Sequence, residues 1–224
     1  MDTAEPDPRD LDAVVAGCAS AHQRLLETLD ALDDATVTQP SLLPGWTVGH
    51  VTTHLARQAD SVIRVLEAAA RGEPAERYPG GREQRAAEID AGAPRPAAEQ
   101  AEDVRRTIWR LESAWAGVPA EGWALTGTLL DQPEAVSDLP FRRWREVEVH
   151  HADLGLPDFT WDDWSDGYVR RELSRMEMTW AARRPMGLTA LPPAALALAS
   201  PRRLAWLLGR LEVEGLEAAQ PWGW

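Results

Sequence analysis

The chain has 224 residues, 44% of them hydrophobic, enough for one large or two small packed domains. Its net charge of −13 excludes non-specific attraction to nucleic acid or to an anionic membrane surface, since the long-range field is repulsive, while leaving room for a locally basic pocket. One cysteine rules out an intrachain disulfide, the acidic N-terminus carries no basic-then-apolar signal pattern, and no apolar run approaches the ~20 residues of a membrane span, so a cytoplasmic, unanchored protein is expected.

Residues 1–9 read as a disordered lead-in. A helix is predicted from Asp10 to Leu32, where Leu11, Val14, Val15, Cys18, His22, Leu25, Leu29 and Leu32 recur at helical spacing. Cys18 and His22 lie on its apolar face and read as core residues. The turn Leu42-Leu43-Pro44-Gly45-Trp46 leads to Thr47, an N-cap for a second helix that runs to Arg71 and stops at Gly72. Val51, His54, Gln58, Val62 and Val65 share one face of it, so His54 points toward neighbouring helices; His50, one turn earlier, competes with it as a ligand.

Residues 73–95 are rich in Gly, Pro and charge and read as a long loop enclosing a short helix. Arg82 and Arg85 there are candidate carboxylate binders, because a planar guanidinium can grip a carboxylate with two parallel bonds. A third helix spans Ala97 to Val118, and a loop or weak hairpin follows over Trp123 to Leu139. The next helix, Phe141 to Leu154, stacks Glu146, His150 and Asp153 at i, i+4 and i+7, with Arg143 one turn earlier on the same stripe. Beyond residue 155 the pattern changes: a helix from Trp164 to Arg183, a small apolar stretch Leu188–Leu198, a helix from Pro201 to Gly209, a strand over Leu211–Leu216 and the tail Pro221–Trp224. The expected architecture is mainly α: a four-helix bundle over residues 1–155 and a small α+β C-terminal domain over residues 156–224.

Metal sites in bundle cores take inward side chains from facing helices. His54, Glu146 and His150 would offer two nitrogens and one carboxylate, the donor set of a catalytic zinc with an open position. Asp153 would orient a ligand or act as a weak fourth one, and Glu148 and His151 fall off the stripe. The same spacing also suits a simple Glu–His ion pair on a helix surface.

Three stretches resemble the mycothiol-dependent maleylpyruvate isomerase family of DinB-like metal-binding bundles: Leu43-Pro44-Gly45-Trp46-Thr47 with His54, Arg145-Glu146-Val147 with His150 and Asp153-Leu154, and Trp206-Leu207-Leu208-Gly209-Arg210. The resemblance implies zinc on His54, Glu146 and His150, mycothiol as cofactor, and a role in activity for Arg210; Arg85 to Ile89 also looks familial. It implies conversion of maleylpyruvate to fumarylpyruvate by reversible thiolate addition, with a small carboxylate substrate, a low-molecular-weight thiol, and a monomer or homodimer. The same scaffold would suit a mycothiol S-transferase acting on another electrophile, or a non-catalytic binder of a metal or small acid. Donor chemistry alone also admits Ni, Fe or Co. The C-terminal segment is short and its Leu188–Leu198 stretch lacks the family's strand-and-glycine lead into the Trp-Leu-Leu-Gly-Arg helix; the resemblance implies that this domain lines the substrate side, so the departure bears on substrate identity rather than on the zinc ligands.

Overall fold

The structure, a computed structural model, describes residues 8–130, 132–186 and 188–219. The expected lead-in before residue 8 and the tail from Pro221 lie outside the described residues. The chain divides into two compact units, Met1–Asp158 and Phe159–Trp224.

In the first unit, four long helices carry the core: α1 (Pro8–Asp30), α3 (Val48–Ala69), α5 (Ala97–Gly117) and α7 (Leu139–Asp153), with a short α2 (Asp34–Val37) before α3. Helix α3 packs on α5 and α7, and α1 packs on α5 and α7, so each long helix has two long neighbours. The apolar stripes meet inside: Leu25, Leu29, Leu55, Ile63, Leu66, Ile108 and Leu111 are fully buried. Each such side chain contributes about 1.5–3 kcal/mol relative to exposure. Cys18 and His22 lie in this core as their periodicity indicates.

Thr47 caps α3 as expected, and the cap is reciprocal. The Thr47 hydroxyl accepts the His50 backbone N–H, and His50 Nδ1 accepts the Thr47 backbone N–H at 3.2 Å. Gly72, at φ 75°, follows the last turn of the helix.

The long polar connection after α3 contains α4 (Gly81–Gly92), longer than the short helix expected there, and α4 packs against α3. Its polar sequence gives a weak helical stripe, since only Ile89 and Gly92 are buried, so tertiary packing on α3 decides its length. After α5 and the single turn α6 (Ala120–Trp123), β1 (Thr126–Leu129) and β2 (Gln132–Ala135) form an antiparallel hairpin with Gly127 opposite Glu134.

The second unit holds α8 (Asp166–Ala182), α9 (Pro193–Leu196) and α10 (Ser200–Leu207). Helix α10 packs on α8, with Trp206 buried and its indole 5.2 Å from that of Trp180. The strand expected over Leu211–Leu216 is not formed. This segment is a loop with a turn at Glu214–Gly215, Gly215 has φ 78°, and the strands among the described residues, β1 and β2, pair with each other. A strand needs a ladder partner, and this segment has none among the described residues.

Candidate metal centre

Two helices facing each other, α3 and α7, bring His54, Glu146 and His150 together. One ligand-type atom from each lies within 4.8 Å of the other two. Glu146 Oε2 stands 3.0 Å from His54 Nε2 and 3.4 Å from His150 Nε2. Two donors on a tetrahedral ion at ~2.0–2.1 Å are about 3.3 Å apart, so this spacing fits one small divalent ion. Both imidazoles are nearly fully buried, while the Glu146 side chain retains 20% exposure and opens the cluster toward solvent.

The neighbours orient the set. Asp153 Oδ2 lies 2.8 Å from His150 Nδ1 and takes that N–H, which leaves Nε2 aimed at the cluster. Arg85 Nη2 lies 3.0 Å from His54 Nδ1, and since a guanidinium only donates, Nδ1 is the acceptor. The neutral His54 ring therefore carries its proton on Nε2, directed at Glu146. Trp46 packs its ring 5.7 Å from that of His54. The turn carrying Trp46 is fixed by Gly45 at φ 80° and by the Leu42 N–H donating to the Asp153 carbonyl at 2.9 Å, at the end of α7.

Register between α3 and α7 is set by Arg143, which is fully buried. Its Nη1 donates to the Leu55 carbonyl at 2.8 Å and to Gln58 Oε1 at 2.7 Å, one residue and one turn beyond His54. Its Nε donates to His22 Nε2 at 3.1 Å, tying α1 into the same layer.

Electrostatics follow from this packing. Burial holds the His54 ring down at about 4 in spite of Glu146 beside it. Burial also works against charge on His150, yet the hydrogen bonds of Asp153 and Glu146 outweigh it and raise that ring above its ordinary value. Burial disfavours the Glu146 carboxylate, but His150 and His54 hold it well below the usual carboxylate range. The two carboxylates, Glu146 and Asp153, thus favour positive charge beside His150. A divalent cation at the cluster would meet the same two carboxylates.

Other residues weighed from the sequence lie elsewhere. His50 is occupied by the Thr47 cap. Glu148 accepts from Arg24 at 2.8 Å and from Trp144 Nε1 at 3.0 Å, and His151 Nε2 pairs with Thr28 Oγ1 at 2.8 Å, so both serve the α1–α7 contact. Arg85 reaches the cluster, whereas Arg82 is exposed on the first turn of α4. Arg210 lies in the second unit, just after Gly209, and its Nη1 donates to the Leu208 carbonyl at 3.4 Å. Sequence reasoning placed Arg143 on the ligand stripe and His22 in the core but missed the hydrogen bond that joins them. A basic residue within the buried stripe of α7 was the one available signal for it.

A bundle with a buried His–Glu–His cluster on facing helices defines a class of candidate metal-binding helical proteins. The model of the mycothiol maleylpyruvate isomerase N-terminal domain matches residues 18–155, more than half of the chain, and the chain belongs to that family. A crystal structure of the mycothiol-dependent maleylpyruvate isomerase, and one of its histidine-to-alanine mutant, are each similar over 89% of both chains, at 21% identity and TM-score 0.78. At that identity the likeness shows the fold. No curated protein matches the chain.

Proposed function

We propose that this protein is a zinc- and mycothiol-dependent cis–trans isomerase of the maleylpyruvate type, with His54, Glu146 and His150 as the metal ligands. The observation that carries the reading is the convergence of those three side chains with Asp153 behind His150, inside a chain of this family. A divalent ion held there supplies the positive charge that keeps a thiol deprotonated near neutral pH.

The carbon–carbon double bond of maleylpyruvate does not rotate. When a thiolate adds to it, a carbon–sulfur bond forms and the displaced π pair moves to the conjugated carbonyl oxygen as an enolate. The remaining single bond rotates, and collapse of the enolate expels the thiolate and leaves the trans alkene. The chain's cationic side chains would hold the negative charge during these steps. Arg85 is the nearest, 3.0 Å from His54 Nδ1: a divalent ion held by His54, Glu146 and His150 would leave the His54 ring proton on Nδ1, and the Arg85 guanidinium would then be available to hold a carboxylate or enolate. Arg82 and Arg210 are the further substrate-binding candidates. Cys18 takes no part, since it is fully buried and burial pushes its thiol far up.

The test is maleylpyruvate with and without mycothiol. Loss of the cis-enedione absorbance with thiol regenerated supports the isomerase. Stoichiometric consumption of thiol would replace it with an S-transferase, and no turnover of any electrophile with a non-catalytic binder. The His54→Ala protein, purified without chelator, is expected to lose its zinc; equal zinc content in variant and wild type would reject the ligand assignment.

A further inference from the structure

A polar cleft of about 370 Å³ opens on the first unit where α3 meets α5 and the segment before α4. Three guanidinium groups (Arg57, Arg64 and Arg110) and three carboxylates (Asp60, Glu67 and Glu88) line it, with Tyr78 at one side. The charges balance. A free anion or cation entering it meets as many like charges as opposite ones. A hydroxyl is both donor and acceptor, so a neutral polyol can use both signs of the lining at once.

The lining is also pre-set. Asp60 is held from two sides, by Arg57 at 3.2 Å and by Arg110 at 3.2 Å, and Arg57 is itself anchored on the buried Asp103 at 2.8 Å. Polar groups fixed in this way lose little freedom on binding.

The cleft lies along α3 from the candidate metal centre. Ser61, on its floor, is seven residues after His54 and so lies on the same stripe, about 10.5 Å along the axis. The two sites are joined by side-chain contact: Arg85 reaches His54 Nδ1 at 3.0 Å and places its guanidinium carbon 5.7 Å from the centre of the Tyr78 ring.

We infer that this cleft is the subsite for the hydroxyl-rich part of the thiol cofactor, holding its sugar and cyclitol rings while the sulfur reaches the His54–Glu146–His150 cluster. The inference rests on the thiol dependence proposed above. Mycothiol is a cysteine amide joined to a two-ring polyol, so its thiol and its hydroxyl-rich end lie at opposite ends of one molecule. Its neutral hydroxyl-rich end matches the balanced lining, and its thiol matches the metal centre.

The test uses two readouts. Titration calorimetry measures binding of N-acetylglucosaminyl-inositol, which lacks the cysteine but keeps the amide nitrogen neutral, to wild type, to Arg110→Ala and to the double variant Asp60→Ala/Arg110→Ala, with circular dichroism to verify folding. Saturable binding by wild type is expected, weakened about tenfold or more in the double variant. In turnover, the preference for mycothiol over N-acetylcysteine, as a ratio of kcat/KM, is expected to fall about tenfold. Arg110→Ala, a half-exposed side chain, is expected to shift both readouts in the same direction should the double variant not fold. No saturable binding by wild type, or equal binding and an equal ratio in the variants, would overturn the subsite. Binding of the thiol-free probe without thiol-dependent turnover would sink the isomerase reading and leave the cleft assignment standing; turnover without probe binding would do the reverse.

Discussion

Buried on α1, His22 accepts the Nε–H of Arg143 at its own Nε2 and donates from Nδ1 to Glu112 at 3.0 Å. Protonating Nε2 would set one N–H against another, and burial lowers the ring from 6.5 to about 4. The unfolded chain therefore takes up the proton first as pH falls. The stability associated with the neutral ring is fully present above 6.5 and is lost as pH drops toward 4, by about 3 kcal/mol. Urea titrations at pH 7 and pH 4.5 should show wild type losing more stability than His22→Gln, whose amide keeps a donor and an acceptor without titrating. Parallel losses would show that His22 is not the sensitive group. His54 resembles His22 in being buried, neutral and beside a carboxylate, but a second imidazole, that of His150, stands 4.6 Å from its ring, and that neighbour separates a core histidine from a candidate ligand. Position on an apolar helical face is the same for both and did not distinguish them.

Among the elements, the contact of α7 with α1 and α3 sets the geometry of the cluster. Arg143 links α7 to the carbonyl of Leu55, the residue after His54. Its replacement by Met keeps the volume and removes the link, so the ligands on the two helices are no longer held in register. Zinc affinity, measured by chelator competition, is expected to fall about 10- to 100-fold in Arg143→Met, as for other groups that orient ligands. Arg143→Lys should retain part of it, and unchanged affinity in both would remove the positioning role. On the other side of α7, a Cβ on Gly17 of α1 would lie 2.3 Å from the Trp144 ring. Glycine to alanine in a helix ordinarily gains up to ~1 kcal/mol. Here close approach outweighs propensity, and Gly17→Ala should lose about 1–3 kcal/mol in the denaturant midpoint. A gain would mean that the two helices can move apart without cost.

At the scale of the whole molecule, the candidate ligands and the proposed polyol cleft belong to the first unit, and Arg210 to the second. The family match covers residues 18–155 and so lies within the first unit. Arg210→Ala is expected to keep full zinc content while turnover falls about a hundredfold or more, the size of effect seen when a group stabilising developing negative charge is removed. Unchanged turnover would place substrate binding wholly on the first unit. Among the described residues no helix is long and apolar enough to cross a membrane.

Periodicity, caps and breakers determined much by themselves. The four long helices, the Thr47 cap, the stop at Gly72 and the i, i+4, i+7 stripe of α7 are local consequences of side-chain spacing, and short-range chemistry fixes them. Motif resemblance then selected His54 over His50. What the local pattern left open was decided by contacts between distant segments. Helix α4 is longer than expected because it packs on α3, Leu211–Leu216 stays a loop because it has no ladder partner, and His50 is spent on a cap. Arg143, a charged residue that composition would assign to the surface, is buried at the junction of three helices because a carbonyl, an amide and an imidazole from two other helices meet its guanidinium there. Only the tertiary structure brings residues 54 and 146 within 3.0 Å of each other, since their separation along the chain carries no information about which helices face across the core.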